Sequence, residues 1–324
     1  MASAATTLTT PRGVQIRRFV GRNRNVLIIW TVLLVIFVIS GLISEPFTGP
    51  RNLINITRQS AGLALVAIGQ TFVLLAGGID LSVGSTISLI VVVMAALMQS
   101  TPESMIATAL VGLGIGMVAG LLNGLAVTRL KVSPFMVTLA ALSIWRGLAL
   151  QLRQQPQATI PNEFSPYFTG EFLGLPIPLF LILGATALAA LFLRQTRLGR
   201  HLYAVGSNEY ATRLSGMATD RIKIMAYVAC GLMTGLAGIY WAARSRAGDP
   251  LTGENFAFDS ITAVVLGGTA LTGGSGSVWG TLAGVLIIAI LSNIMNLTGV
   301  PSNYQYILKG LLLVLAVMLY RRGR

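Results

Sequence analysis

Long apolar stretches follow one another along most of the chain, separated by short polar segments. A helix needs about 20 mostly apolar residues to cross a bilayer, and about ten stretches reach or approach that length. In chain order they are Val26–Ser44, Leu53–Ala76, Val83–Gln99, Met105–Val127, Pro134–Leu152, Pro178–Leu193, Ile222–Ala243, Ser260–Thr272, Val278–Leu297 and Asn303–Tyr320. The pattern predicts an all-α polytopic membrane protein of about ten transmembrane helices, some of them short and broken by glycine.

Composition supports the membrane interpretation. The 324 residues are 54% hydrophobic and only 10% charged, whereas a typical soluble domain is about 25% charged. Too little polar surface is available to cover a water-soluble globule of this size. This excludes a soluble enzyme and a disordered tail protein. The single cysteine, Cys230, excludes a disulfide-stapled domain.

The net charge of +13 is distributed over loops. If the N-terminus is cytoplasmic and the chain alternates sides, sixteen basic residues fall inside. They are Arg12, Arg17, Arg18, Arg22, Arg24, Arg129, Lys131, Arg194, Arg197, Arg200, Arg213, Arg221, Lys223, Arg321, Arg322 and Arg324. The positive-inside rule then predicts that both termini are cytoplasmic. Residues 1–25 become a cytoplasmic segment, 26–320 the transmembrane domain and 321–324 a cytoplasmic end. With no single basic face, the pattern argues against nucleic-acid binding.

The residues needed for catalysis and nucleotide binding are missing from the sequence. One histidine, His201, and one cysteine cannot build the usual zinc motifs. The three lysines follow Leu130, Ile222 and Leu308, so the Gly-Lys-[Ser/Thr] of a phosphate loop does not occur. We therefore expect no catalytic residues, no metal and no cofactor bound by this chain, and any ATP-driven work must come from a partner.

Two glycine-containing segments match each other. Gly77–Ser85 aligns with Gly267–Ser275, 190 residues later, and each follows a short apolar run. Glycine-interrupted segments in corresponding positions point to the substrate path of a transporter. Glycines also recur every fourth residue at two places, which predicts close helix packing. These ladders are Gly116, Gly120 and Gly124, and Gly276, Gly280 and Gly284.

Polar side chains inside the apolar stretches are candidates for lining a translocation path. They are Asp80, Ser82, Asn123, Arg146, Asn293 and Asn296. An acid at membrane depth is a functional hypothesis by default, but Asp80 or Ser82 could instead cap the third helix. Arg146 could extend toward the interface or pair with a carboxylate. The amides could join helices or line the path.

The longest cytoplasmic loop, Arg194–Lys223, is predicted to hold a short helix. Asn208 suits its N-cap, Glu209 its first turn and Gly216 its end. Such a helix either docks a soluble partner or lies on the lipid surface. Both interpretations remain open from the residues alone.

Four segments resemble the ribose-type ABC sugar permeases. They are TFVLLAGGIDLSVGS at Thr71–Ser85, KVSPFMVTL at Lys131–Leu139, LGRHLYAVGSNEYATR at Leu198–Arg213 and AVVLGGTALTGGSGSVWG at Ala263–Gly280. They occur in the family's order, and the resemblance runs from about residue 45 to residue 320.

The resemblance implies the permease subunit of an ATP-driven importer in the bacterial inner membrane, carrying a monosaccharide such as a ribose-like pentose or a hexose. It implies a cytoplasmic ABC ATPase that uses ATP and Mg, a periplasmic sugar-binding protein, and a second identical or related permease subunit. The loop 194–223 becomes the coupling loop to the ATPase. The loop residues that match the family pattern are Gly206, Asn208, Glu209, Arg213 and Gly216.

One position departs from the family pattern. Within Asn255–Ala263 the family usually has Glu where this chain has Ala257, while Asp259 is retained. The consequence of Ala257, like the identity of the sugar, is not given by the sequence. The alternative function is an ion-gradient-driven secondary transporter of a small polar solute. Such a transporter needs several intramembrane carboxylates, and the sequence offers essentially Asp80.

Overall fold

The computed structural model describes residues 12–157 and 160–322, which are mostly helical. Thirteen α-helices lie in this part of the chain. They are α1 Arg12–Ile43, α2 Pro50–Leu75, α3 Val83–Leu97, α4 Pro102–Arg129, α5 Pro134–Leu152, α6 Pro166–Thr169, α7 Ile177–Gln195, α8 Arg197–Ser207, α9 Glu209–Leu214, α10 Thr219–Ser245, α11 Phe256–Leu266, α12 Val278–Leu297 and α13 Ser302–Arg322. Of the predicted terminal segments, residues 1–11 and 323–324 lie outside the described residues.

The fold confirms an all-α membrane protein. Seven helices are long and apolar enough to cross a bilayer, namely α1, α2, α4, α5, α7, α10 and α12. Helices α3 and α11 are apolar but shorter, with 15 and 11 residues. At about 1.5 Å per residue, α11 extends only about 16 Å. This shortness agrees with the predicted break at the glycines that follow it.

A small hairpin separates α6 from α7. Its strands, β1 Glu171–Phe172 and β2 Leu175–Pro176, pair antiparallel with Phe172 opposite Leu175. The two turn residues, Leu173 and Gly174, both have positive φ values. Two successive positive φ angles are typical of a tight type I′ hairpin turn.

Helix α10 occupies the centre of the bundle, where it packs against α4, α2 and α3. Helix α2 is also central. Of its most apolar 18-residue stretch 89% is buried, compared with 17% for the corresponding stretches of α1 and α5. Large apolar side chains such as Leu34 and Leu42 on α1 are exposed. We interpret this outer surface as the face that meets lipid.

Helices α4 and α10 approach each other at glycines on both sides. A Cβ atom placed on Gly116 would lie 2.9 Å from the Gly235 Cα, and one on Gly231 would lie 3.1 Å from the Gly120 Cα. Lipid tails are as apolar as side chains, so helices in a membrane associate through close packing and hydrogen bonds. The first predicted ladder is therefore a helix-packing surface.

The second ladder is only partly helical. Gly280 and Gly284 on α12 face Gly267 and Ala263 of the α11 segment at backbone contact, as predicted. Gly276 lies before α12 begins, and a Cβ placed on it would fall onto the side chain of Thr269. The regular spacing therefore combines two packing glycines with one loop glycine.

The two matched glycine turns have the same backbone geometry. The glycines that correspond in them are one position further apart along the chain than the sequence alignment predicted. Gly77 ends α2 with φ +79°, and Gly268 ends α11 with φ +88°. In both turns the glycine N–H bonds to the carbonyl three residues earlier, and the next N–H bonds to the carbonyl five residues earlier. This is the Schellman motif. Only its C′ position needs positive φ, so Gly77 corresponds to Gly268 and not to Gly267.

We expect Gly120→Ala to lower the thermal unfolding midpoint of the purified protein in detergent. The new methyl group would meet the Tyr227 carbonyl, and such overpacking costs about 1–3 kcal/mol. Gly114→Ala on the same helix is the matched control, because nothing lies within 4 Å of its added Cβ. Equal midpoints for the two variants would contradict the close approach of α4 and α10.

Candidate translocation path and coupling loop

Three predicted path residues meet in the turn between α2 and α3. Asp80 is only 3% exposed. One of its carboxylate oxygens accepts hydrogen bonds from the Ser82 N–H at 2.9 Å and the Ser82 hydroxyl at 2.7 Å. The Asn123 amide of α4 donates to both Asp80 oxygens, at 3.3 and 3.2 Å, and to the Ser82 hydroxyl at 2.8 Å. The geometry favours bracing of the turn over helix capping, since Ser82 makes no side-chain cap bond.

Neighbouring helices hold the same turn through its backbone. With its amide oriented to satisfy both groups, Gln70 exchanges two hydrogen bonds with the Asp80 main chain, at 3.1 and 3.3 Å. Thr138 on α5 and Tyr227 on α10 each donate to the Ile79 carbonyl at 3.3 Å. Polar side chains from four helices therefore converge on one irregular segment.

Arg146 pairs with a carboxylate, as the sequence allowed, and the partner is Glu254. Its guanidinium lies 3.3 Å from Glu254, in the segment before α11, and both side chains are about half exposed. The pair borders a cavity of about 290 Å³ between α3, α5 and α11. Ala257, the departure from the family pattern, lines the same cavity.

The two predicted asparagines on α12 have different partners. Asn293 exchanges amide hydrogen bonds of 2.8 and 2.9 Å with Asn52 at the start of α2. Asn296 is exposed and accepts a bond of 2.7 Å from Gln305 on α13. In this structure both amides join helices, and neither is among the residues that line the cavity.

A further ion pair lies beside the cavity helices. Lys309 on α13 approaches Asp259 on α11 to 2.7 Å, and the side chains are 22% and 15% exposed. The two residues are 50 positions apart, and no local sequence pattern indicates that they pair. No group of three or more His, Cys, Asp or Glu residues that could hold a metal occurs in the described part of the chain.

The loop 194–223, the candidate coupling loop, contains the predicted short helix, α9. The Asn208 side chain accepts the Ala211 N–H at 2.9 Å as its N-cap, and Gly216 ends it with φ +80°. Glu209 and Arg213 pair at 3.2 Å, and Arg213 also reaches Asp220 at 3.0 Å. These bonds hold α9 against the first turn of α10.

The longer helix α8 in this loop was not predicted. Thr196 caps it by accepting the Gly199 N–H at 3.0 Å, and Leu202 and Val205 on one face are buried. The Thr-x-x-Gly start and the spaced apolar residues could have indicated an amphipathic helix.

Helix α8 ends in contact with the glycine turns. A Cβ atom on Gly206 would run into the Leu75 carbonyl and the Gly274 nitrogen, and one on Gly273 would lie 2.9 Å from the Gly77 Cα and 3.0 Å from the Gly206 Cα. The Gly274 N–H donates to the Leu75 carbonyl at 3.0 Å. We call Gly77, Gly206, Gly273 and Gly274 the glycine junction.

Tyr203 on α8 adds a side-chain link to the segment that follows the glycine junction. Its hydroxyl donates to the Gly276 carbonyl at 3.1 Å. Burial raises the pKa of this phenol, so it stays protonated and able to donate. The family resemblance was the only reason in the sequence to assign a role to Gly206. Nothing in the sequence indicated that Tyr203 bonds to the Gly276 carbonyl.

Comparison with known proteins identifies the family. A model described as a permease component of the branched-chain amino acid transport system matches residues 52–317. The ribose import permease of Bacillus subtilis is 40% identical over 90% of this chain and 91% of its own length. The corresponding ribose permease of Escherichia coli K12 is 41% identical, over 88% and 90%.

This chain belongs to the ribose-type ABC sugar permeases. The resemblance carried by the four sequence segments is confirmed. An L-arabinose ABC transporter permease of Azospirillum brasilense, 36% identical over 90% of this chain and 87% of its own length, is also similar. No solved structure matches the chain significantly. Permeases of this family are transporter components, and membership implies ATPase and binding-protein partners in general.

We expect Asp80→Ala and Asn123→Ala to destabilise the permease non-additively. Each variant leaves polar groups of the turn without partners in a buried site, at about 1–3 kcal/mol. Because the residues are bonded to each other, the double variant should cost about 0.5–3 kcal/mol less than the sum. Denaturant-induced unfolding in detergent of the wild type, both single variants and the double variant measures these free energies. Strict additivity would contradict the bracing role.

Proposed function

We propose that this permease is the membrane subunit of an ATP-driven importer of a monosaccharide in the bacterial inner membrane. The observation that carries the proposal is the identity of about 40% with ribose import permeases over 90% of the chain. The description of the matching family model mentions branched-chain amino acids. Relatives that are similar over their whole length are named for ribose and L-arabinose, so a sugar is the favoured cargo.

For the topology we propose ten spans with both termini in the cytoplasm. Support comes from the seven long apolar helices together with α3, α11 and α13, which lie where the remaining predicted spans were placed. In this arrangement residues 26–320 form the transmembrane domain, and α8 and α9 lie in the cytoplasmic loop 194–223. The turns that end α2 and α11 then lie toward the cytoplasmic side.

The partners follow from the same proposal. A cytoplasmic ABC ATPase uses ATP and Mg, a periplasmic binding protein delivers the sugar, and a second identical or related permease subunit completes the membrane unit. This chain binds no cofactor and has no catalytic residue of its own. Its Gly206, Asn208, Glu209, Arg213 and Gly216 serve to contact the ATPase or to shape the segment that does.

Coupling runs from the loop through the glycine junction. Movement of α8 would press on the turns that follow α2 and precede α12, because Gly206 touches both at backbone contact. The Asp80 brace joins the first of these turns to the start of α3. Helix α3 lines the cavity with Ser85 and Ser88. Force from the ATPase would therefore reach the cavity through short, closely packed steps.

The secondary transporter remains the alternative. It would need carboxylates free to exchange an ion. Asp80 accepts hydrogen bonds from Ser82 and Asn123, and Asp259 is paired with Lys309. These partners disfavour ion coupling.

Transport measurements test the function directly. The chain, reconstituted with its partner ATPase and binding protein, is expected to accumulate labelled D-ribose, L-arabinose or D-xylose only when ATP is supplied. Labelled L-leucine serves as the competing cargo. Sugar uptake by the chain alone on a proton or sodium gradient would favour the alternative, and uptake of leucine instead of sugar would contradict the proposed substrate class.

We expect Gly206→Ala to uncouple ATP hydrolysis from uptake. A methyl group there would displace α8 from the Leu75 carbonyl and Gly274, and overpacking is relieved by backbone shifts. The ratio of sugar transported to ATP hydrolysed should fall by about tenfold, a barrier change of about 1.4 kcal/mol. Gly184→Ala, on α7 with open space around it, should keep the wild-type ratio. A normal ratio in Gly206→Ala would remove the junction from the coupling route.

A further inference from the structure

The cavity beside Arg146 combines charge, hydroxyl groups and an apolar wall. Its volume of about 290 Å³ is just below the range of roughly 300–1,000 Å³ for small-molecule sites. That size suits a ligand as small as a monosaccharide. Helices α3 and α5, the segment before α11 and its first turn enclose the cavity.

The Arg146–Glu254 pair has unused hydrogen-bonding capacity. Only one guanidinium nitrogen and one carboxylate oxygen are engaged, at 3.3 Å, and no other side-chain bond of either residue occurs among the described residues. A guanidinium carries five N–H donors and a carboxylate about four acceptor positions. Charged groups in transmembrane segments are costly and usually face a path or a water-filled cavity. The pair is therefore free to bind neutral hydroxyl groups.

Two serines on α3 add complementary groups. The Ser85 hydroxyl donates to the Ser82 carbonyl at 3.0 Å, which leaves its lone pairs available. The Ser88 hydroxyl accepts the Gly253 N–H at 3.0 Å, which leaves its own proton available. The cavity thus offers one acceptor and one donor beside the ion pair. A polyol, whose hydroxyls both donate and accept, matches this set.

The opposite wall is apolar. Leu139 on α5 and Phe258 on α11 line the cavity, and Phe258 is 62% exposed. Small-molecule sites are mostly apolar with a few placed polar groups, and a sugar ring presents C–H groups between its hydroxyls. Ala257, beside Phe258, contributes no polar group. Glu254 is the one carboxylate among the described residues of the lining.

We propose that this cavity is the sugar-contact site of the permease, with Arg146, Glu254, Ser85 and Ser88 binding the hydroxyls of a monosaccharide as it passes. The inference rests on the proposed sugar import and adds the residues that handle the cargo. The ion pair keeps the site neutral overall, which suits an uncharged ligand. Few contacts and a half-exposed pair suit brief binding, so that the sugar is released inward.

Glu254→Gln and Arg146→Gln test the site in the complete transporter with its ATPase and binding protein. We expect each variant to lower maximal D-ribose uptake by about tenfold, the loss expected for one hydrogen bond to a charged group. ATP hydrolysis stimulated by the loaded binding protein should stay within about twofold of wild type, because neither residue is among the neighbours of the glycine junction. Glu171→Gln, whose acid lies on the β1 strand 4.0 Å from Arg58, is the control that should retain uptake.

The outcomes separate the two proposals. Normal uptake in both Gln variants, beside a wild type that imports sugar, would overturn the site and leave the function standing. A wild-type transporter that moves no sugar, or moves L-leucine instead, would contradict the proposed function itself. A variant that loses both uptake and stimulated ATP hydrolysis has lost docking or folding, which contradicts a role limited to sugar contact.

A labelling experiment gives a second readout that does not depend on charge. Leu251 lines the cavity and is 45% exposed, whereas the native Cys230 is fully buried. In a Cys230→Ala background, Leu251→Cys should react with a small hydrophilic thiol reagent, and D-ribose during turnover should slow the reaction by about threefold or more. Leu173→Cys, on the outer hairpin and 83% exposed, should react equally with and without sugar. Equal rates at Leu251→Cys during active transport would overturn the proposal.

Discussion

The requirement that every backbone polar group be satisfied within the membrane governs this structure. A helix meets the requirement alone, but a chain that turns at membrane depth must supply other partners for its N–H and C=O groups. Here the turn after α2 is enclosed by polar side chains of four helices, centred on Asp80. Because the turn is satisfied, α2 can stop and α3 can begin next to the cavity without exposing free backbone groups to lipid.

The tight turns after α2 and α11 also determine how directly the protein can transmit movement. Schellman geometry ends α2 and α11 abruptly, and the glycines after them have no side chains to hold neighbouring backbones apart. Helix α8 therefore meets the end of α2 and the segment before α12 at backbone contact through Gly206. Contacts between backbones carry displacement with less slack than contacts between long side chains, since few torsions can absorb it. A single helix, α8, thus touches the chain at the end of α2 and before the start of α12.

Local patterns predicted much of this arrangement. The ten apolar stretches, the Asn208 cap and the Gly216 stop concern residues near each other in sequence, and the structure has helices at these places. The Arg146–Glu254 pair, the Asn52–Asn293 pair and the Gly206 contacts join residues far apart in sequence. Hydropathy has no information on which helices become neighbours. The one-residue error in the glycine alignment arose because residue identity was matched, whereas the backbone selects the C′ position by its φ angle.

The Asp259–Lys309 contact has a consequence for how the chain is made. Inserting a lysine near the centre of a membrane helix costs about 2.5–3.5 kcal/mol. In the proposed ten-span topology α13 crosses the bilayer, and Lys309 lies in its first half. Its partner is on α11, which leaves the ribosome earlier. The last helix can therefore enter the bilayer against a carboxylate that is already in place. During synthesis the acid, Asp259, therefore precedes the base, Lys309, that it neutralises.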